Sequence, residues 1–323
     1  MKHFIFILSS LFITSLYGGI KINKNIETTF YFTKAEVINE YTTHIPFKLV
    51  DRLIMIEGVH QEKKGMFIVD TGSEKLILNK VHFSHLIKRN HKKSAATGVL
   101  DYIDNPIEKR IQQLVFQDLY IYNKRSDIID LSHIEKTKKL KILGIIGYNV
   151  LKDYEVFIDM YLNQITLTKI DKYGEKLGNE VYLEKIADSI NFKLKKHTIV
   201  IKGTINGKKL NFGLDTAAEF NQLNSKVDKL ILKSFYPKKR ILLLGASSKK
   251  IEVISGRLYR LKLNETVYFG PMNTILTNLR SFNQAFGTNL DGILGHDFFA
   301  QKRAIINYKK EKIYFINHPI IRN

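Results

Sequence analysis

The sequence predicts an all-β chain built from two similar lobes related by a pseudo-twofold axis, with few short helices. Three observations lead there. Strand formers dominate: Ile, Val, Phe and Tyr occur in short runs separated by turn residues. One acidic turn occurs twice, as Val69-Asp70-Thr71-Gly72-Ser73 and as Leu214-Asp215-Thr216-Ala217-Ala218. The surroundings of the two turns align without a gap, pairing Ile54 with Ile199, Gly58 with Gly203, Phe67 with Phe212 and Asn79 with Asn224. The repeat has a second half. Ile145-Ile146-Gly147 follows Asp70, Ile293-Leu294-Gly295 follows Asp215, and each leads to a similar tail, Val156–Asp159 and Ala304–Asn307. A period of about 147 residues is too long for a solenoid and describes a duplicated domain.

The elements follow in order. Lys2 and His3 precede an apolar run from Phe4 to Leu16, shorter than an ordinary membrane span. Residues 1–18 therefore read as a signal peptide, with an uncleaved signal anchor as the alternative because no clean cleavage site follows. Residues 19–45 are an N-terminal strand or a pro-segment, 46–170 the first lobe, 171–191 a linker rich in Lys, Glu and Gly, and 192–318 the second lobe. Leu53–Ile56 and Met66–Val69 flank a polar turn at Gln61–Lys64, a hairpin that runs into Asp70. The second lobe repeats it from Thr198 to Leu214, with Asn206-Gly207 as the turn signal. Further strands are expected at Leu114–Tyr122, Ile241–Leu244, Lys250–Ile254 and Arg257–Leu263. Short helices are expected at Tyr148–Asp153 and His296–Gln301.

Composition narrows the function. At 323 residues, 44% of them hydrophobic, the chain can fill two cores. It has no cysteine, which excludes disulfides, thiol catalysis, thiolate metal sites and lipid attachment at a Cys. The formal charge is +20, but 41 of the 51 basic residues are Lys, scattered beside Ile and Asn, with no Arg cluster. A nucleic-acid partner is therefore not expected. His82, His85 and His91 lack a Cys or acidic partner at zinc spacing and read as a wet helix face, so no metal is expected.

A strand that runs straight into Asp-Thr-Gly holds its carboxylate at a rigid end. Gly72 allows a tight turn that leaves N–H groups facing Asp70, and the Ser73 hydroxyl is placed to donate to it. Thr71 and Thr216 suit hydrogen bonds between the lobes. Two carboxylates held close share one proton: one acts as general base on a water, while the other, protonated, polarises a carbonyl.

These two turns and the two Ile-hydrophobic-Gly motifs resemble the retropepsin-like and pepsin-like aspartic proteases, over about Phe47 to Asn317. The resemblance implies the acid-protease fold of two β-barrel-like lobes around a cleft, with Asp70 and Asp215 as the dyad. It implies an extended peptide or protein substrate and no cofactor. The family's flap falls on Thr97–Arg110 or on Gly245–Ile254, which makes Gly98, Tyr102, Gly245 and Ser247 the candidates for substrate contact; a plain surface tyrosine is the alternative for Tyr102. The whole reads as an exported bacterial endopeptidase, periplasmic or secreted, monomeric, with no stable membrane span after signal removal. One departure stands out. Ala217 occupies the family's Gly position, and its Cβ is expected to crowd the turn, so Ala217→Gly is expected to keep or raise activity. Ala218 lacks the hydroxyl of Ser73, and cleavage is accordingly expected to persist toward neutral pH. The alternatives are an inactive peptide-binding module of the same fold and a regulatory protease with one partner.

Overall fold

The Asp70 hairpin organises the first lobe. Leu53–His60 and Lys63–Val69 pair antiparallel, from Met55 opposite Ile68 to His60 opposite Lys63. Gln61 (φ 48°) and Glu62 (φ 63°) both lie in the left-handed region, the geometry of a type I′ turn whose twist matches the strands. Thr198–Ile205 and Lys208–Leu214 form the corresponding hairpin, turning on Asn206 (φ 50°) and Gly207 (φ 75°). The computed structural model describes residues 36–87, 107–178, 185–244 and 250–317, with short strands at Phe12–Ile13, Ala95–Thr97 and Tyr102–Asp104. The rest of the 1–18 segment, together with Gly98, Gly245 and Ser247, lies outside the described residues. Tyr102 opens a strand paired with Ala95–Thr97.

The first-lobe strands run in the order Ile107–Phe116, Leu119–Ile129, Leu76–Asn79, Ile142–Ile146, Lys63–Val69, Leu53–His60, Lys48–Val50. Val115 pairs with Val59, which closes a six-stranded barrel. In the second lobe the order is Lys250–Leu258, Met272–Thr277, Asn221–Asn224, Gly292–Leu294, Lys208–Leu214, Thr198–Ile205, in a half-barrel sheet that Phe235–Leu244 extends along its outer edge. In both lobes the Asp strand runs parallel to the strand of the glycine motif, with Val69 opposite Ile146 and Leu214 opposite Leu294. Leu114–Tyr122, expected as one strand, is instead the tip of a hairpin turning at Gln117 (φ 54°). Arg257–Leu263 is likewise interrupted, at Arg260 (φ 65°). At these two points the left-handed residue turns the chain out of its extended path.

A third sheet joins the lobes, in the order Ile186–Asn191, Lys312–Ile316, Arg303–Asn307, Tyr154–Asp159, Gln164–Lys169, Thr42–Pro46, Glu36–Asn39. Glu36–Asn39 and Thr42–Pro46 are thus strands, and so is the end of the expected linker. At its centre Phe157 lies opposite Ile305. Polar pairs flank that point: Arg303 Nε donates to Asp159 Oδ2 at 3.0 Å, and Asn307 Nδ2 donates to Glu155 Oε2 at 3.0 Å. The arginine is buried and so needs this partner.

Helices cover the ends of the lobes. Tyr148–Leu151 and His296–Gln301 follow the glycine motifs. Ser132–Lys138 and Arg280–Phe286, which the sequence reading lacks, bury Ile134 in one apolar cluster and Phe282 and Phe286 in another. Among the described residues no helix is long and apolar enough to cross a membrane.

Candidate functional site

Each acidic turn starts where its hairpin meets the glycine motif. Asp70 N donates to Ile146 O, and Asp215 N to Leu294 O, both at 2.9 Å. Beyond the Asp, Tyr148 N donates to Ser73 O at 2.8 Å and His296 N to Ala218 O at 2.9 Å. The chain passes so close here that Gly147 and Gly295 have no room for a Cβ. It would lie 2.4 Å from Lys75 O in the first case and 2.2 Å from Ala218 O in the second. That steric fact explains the distant glycine that accompanies each turn.

The two threonines interlock. Thr71 N donates to Thr216 Oγ1 and Thr216 N to Thr71 Oγ1, both at 3.0 Å. Each hydroxyl donates onward to the carbonyl before the other Asp: Thr216 Oγ1 to Val69 O at 2.7 Å, Thr71 Oγ1 to Leu214 O at 3.3 Å. All four groups are buried, so losing one partner strands another.

This lock brings Asp70 and Asp215 together, both buried and close enough for each carboxylate to act on the other. Asp70 Oδ1 accepts from Gly72 N at 2.8 Å and Ser73 N at 3.1 Å. Asp215 Oδ1 accepts from Ala217 N at 2.8 Å. Burial raises the Asp70 pKa well above the usual carboxylate range. The neighbouring Asp215 adds to the rise, against the two backbone donors. Such a pair holds one proton between two carboxylates, one oxygen set basic and the other acidic.

Two expectations about the turns need correction. Ser73 Oγ donates to Lys75 O at 3.0 Å and not to Asp70, because the turn carries the hydroxyl away from the carboxylate. Ala217 does not crowd its turn. Its N–H reaches Asp215, and its Cβ sits in an apolar cluster that is otherwise all first lobe, with Ile68, Ile134 and Ile145 among its members. Ala218 packs with Phe282 and Phe286.

The sequence reading missed the charged residues around the turns. Glu74 and Glu219 each stand four residues past their Asp, a match visible in the alignment. Glu219 is buried and accepts from Lys138 Nζ at 2.5 Å, while Arg52 Nη1 donates to its carbonyl at 3.2 Å. Burial lifts the Glu219 carboxyl to about 7 despite Lys138. On the other side, His197 lies against the Gly72 carbonyl, with Nδ1 3.8 Å from Glu74. Burial, reinforced by Lys196, pushes its pKa down to about 3. Arg52 and His197 occupy equivalent places in the repeat, each reaching the turn of the other lobe. Away from the site, His82 Nε2 pairs with Glu135 at 2.6 Å and His85 with Gln61 at 2.8 Å, while His91 is outside the described residues. In comparison with known proteins the chain matches no family model and no curated sequence.

Proposed function

We propose that the chain is an aspartic endopeptidase of the retropepsin-like kind, its lobes related by a pseudo-twofold axis and its water activated by Asp70 and Asp215. One observation carries this reading: two buried carboxylates, each at the end of an equivalent hairpin, face each other across a reciprocal threonine lock. The central register of the shared sheet supports the axis, because Phe157 and Ile305 are repeat counterparts lying opposite each other.

The ionised member of the pair takes a proton from a water lying between the carboxylates. The protonated member hydrogen-bonds the peptide carbonyl and stabilises the charge that develops on it. The tetrahedral species collapses as the nitrogen is protonated and the C–N bond breaks, and no covalent enzyme intermediate or cofactor is required. The substrate is an extended peptide, and the enzyme works as an exported monomer. The bond from Ala217 N to Asp215 supports the catalytic reading over the alternative of an inactive peptide-binding module, which Ala217 had favoured.

A peptide-library digest with wild type beside Asp70→Asn and Asp215→Asn tests the proposal. Cleavage by wild type alone is expected, with thermal unfolding showing all three folded. Near-normal turnover by either variant would falsify it.

A further inference from the structure

The two turns are not held alike. The first-lobe turn has no Cβ at Gly72, and its Glu74 side chain is 37% exposed and 3.8 Å from His197. The second-lobe turn is gripped by the first lobe at three successive points. Thr216 bonds Val69 O, Ala217 fills the cluster around Ile134, and Glu219 meets Lys138. Ile134 and Lys138 belong to one helix, Ser132–Lys138. The ion pair is nearly solvent-free, its side chains 2% and 5% exposed. The charged groups that act most strongly on Glu219 also come from the first lobe: Lys138, Asp51 at 3.1 Å from Lys138, and Arg52, which stacks 4.5 Å over Phe220. Arg52 in turn lies 3.7 Å from Asp297 at the start of the helix that follows Gly295.

We infer that Lys138 and Glu219 are positioning residues, through which the helix Ser132–Lys138 of the first lobe sets the place of the Asp215 carboxylate. The inference rests on the protease reading for its catalytic consequence only. The alanine at 217 is then part of the grip: a methyl group is the contact by which the turn seats in the first lobe. Catalysis of this type depends on geometry to within about 1 Å, and misplacement of that size costs on the order of 100-fold in rate.

The test uses the full chain with Lys138→Met, Lys138→Arg and the double variant Lys138→Met/Glu219→Leu, at about pH 6. Burial raises the Glu219 carboxyl and Lys138 opposes that rise, so loss of Lys138 favours the neutral acid over a stranded carboxylate. Two readouts are needed. Amide hydrogen exchange at Ala217 reports the turn without any need for activity. Lys138→Met should speed exchange at Ala217 at least tenfold while leaving Gly72 and Ser73 as in wild type, and Lys138→Arg should restore it. On a peptide that wild type cleaves, Lys138→Met should lower kcat by roughly 100-fold with little change in KM, again with rescue by Arg. If Lys138→Met does not fold, the double variant removes both charges together and carries the same expectations. Unchanged Ala217 exchange in a folded variant, or equal loosening of both turns, overturns the inference. Absence of cleavage by wild type overturns the protease reading instead and leaves the exchange result to decide the positioning.

Discussion

Ala217 changes meaning between sequence and structure. In the sequence it is a crowded substitute for glycine; in the fold its methyl is buried among first-lobe side chains. Ala217→Gly removes that methyl and adds backbone freedom, a combined loss of about 1–2 kcal/mol. The variant should melt lower and gain no turnover, and urea unfolding beside a peptide assay measures both. Position 218 yields a related expectation. The Ser73 hydroxyl serves the Lys75 carbonyl, so a serine at 218 has the equivalent Phe220 carbonyl as its natural acceptor. Ala218→Ser should therefore leave the basic limb of a kcat/KM pH profile where wild type has it. A shift of that limb to lower pH would show that the new hydroxyl reaches Asp215 after all.

At the scale of elements, the hairpin leading to each Asp also supplies the residue that supports the other lobe's turn. His197 is the clearest case, a neutral imidazole enclosed beside Gly72. Its pKa is about 3 in the folded chain against 6.5 when exposed. The unfolded chain therefore takes the proton first. The stability from this group is fully present above about 6.5 and is lost as pH falls through about 3. Wild type should lose more stability over that window than His197→Gln, measured by urea unfolding at a series of pH values. Parallel curves would mean that His197 is charged in the fold. This liability disfavours strongly acid operation, for a reason unrelated to the hydroxyl difference between the turns.

Across the whole molecule, the shared sheet makes the lobes interdependent. Tyr154–Asp159 from one half and Arg303–Asn307 from the other are adjacent strands, so neither half can lose its tail without exposing the other's. The buried Arg303–Asp159 pair lies in this seam. Arg303→Ala leaves a buried aspartate without its partner and should cost about 3–5 kcal/mol. Calorimetry should show one unfolding transition in wild type and the same single transition, lowered, in the variant. Two separated transitions would mean that the lobes unfold independently and that the sheet does not couple them.

The repeat, the two acidic turns, their threonines and the glycine motifs were all legible in the sequence. Local steric and hydrogen-bond demands act on each copy alike, and two copies leave matching residues at matching intervals. The helices Ser132–Lys138 and Arg280–Phe286 left no such mark, because each is short and its identity comes from the barrel end it covers. Glu74 and Glu219 were equally visible as letters, but nothing in the letters says that one is partly exposed and the other enclosed against Lys138. That difference, the direction of the Ser73 hydroxyl and the seat of the Ala217 methyl depend on how two lobes meet. Only the tertiary structure decides them, because burial and partner choice belong to the assembled interface and have no period along the chain.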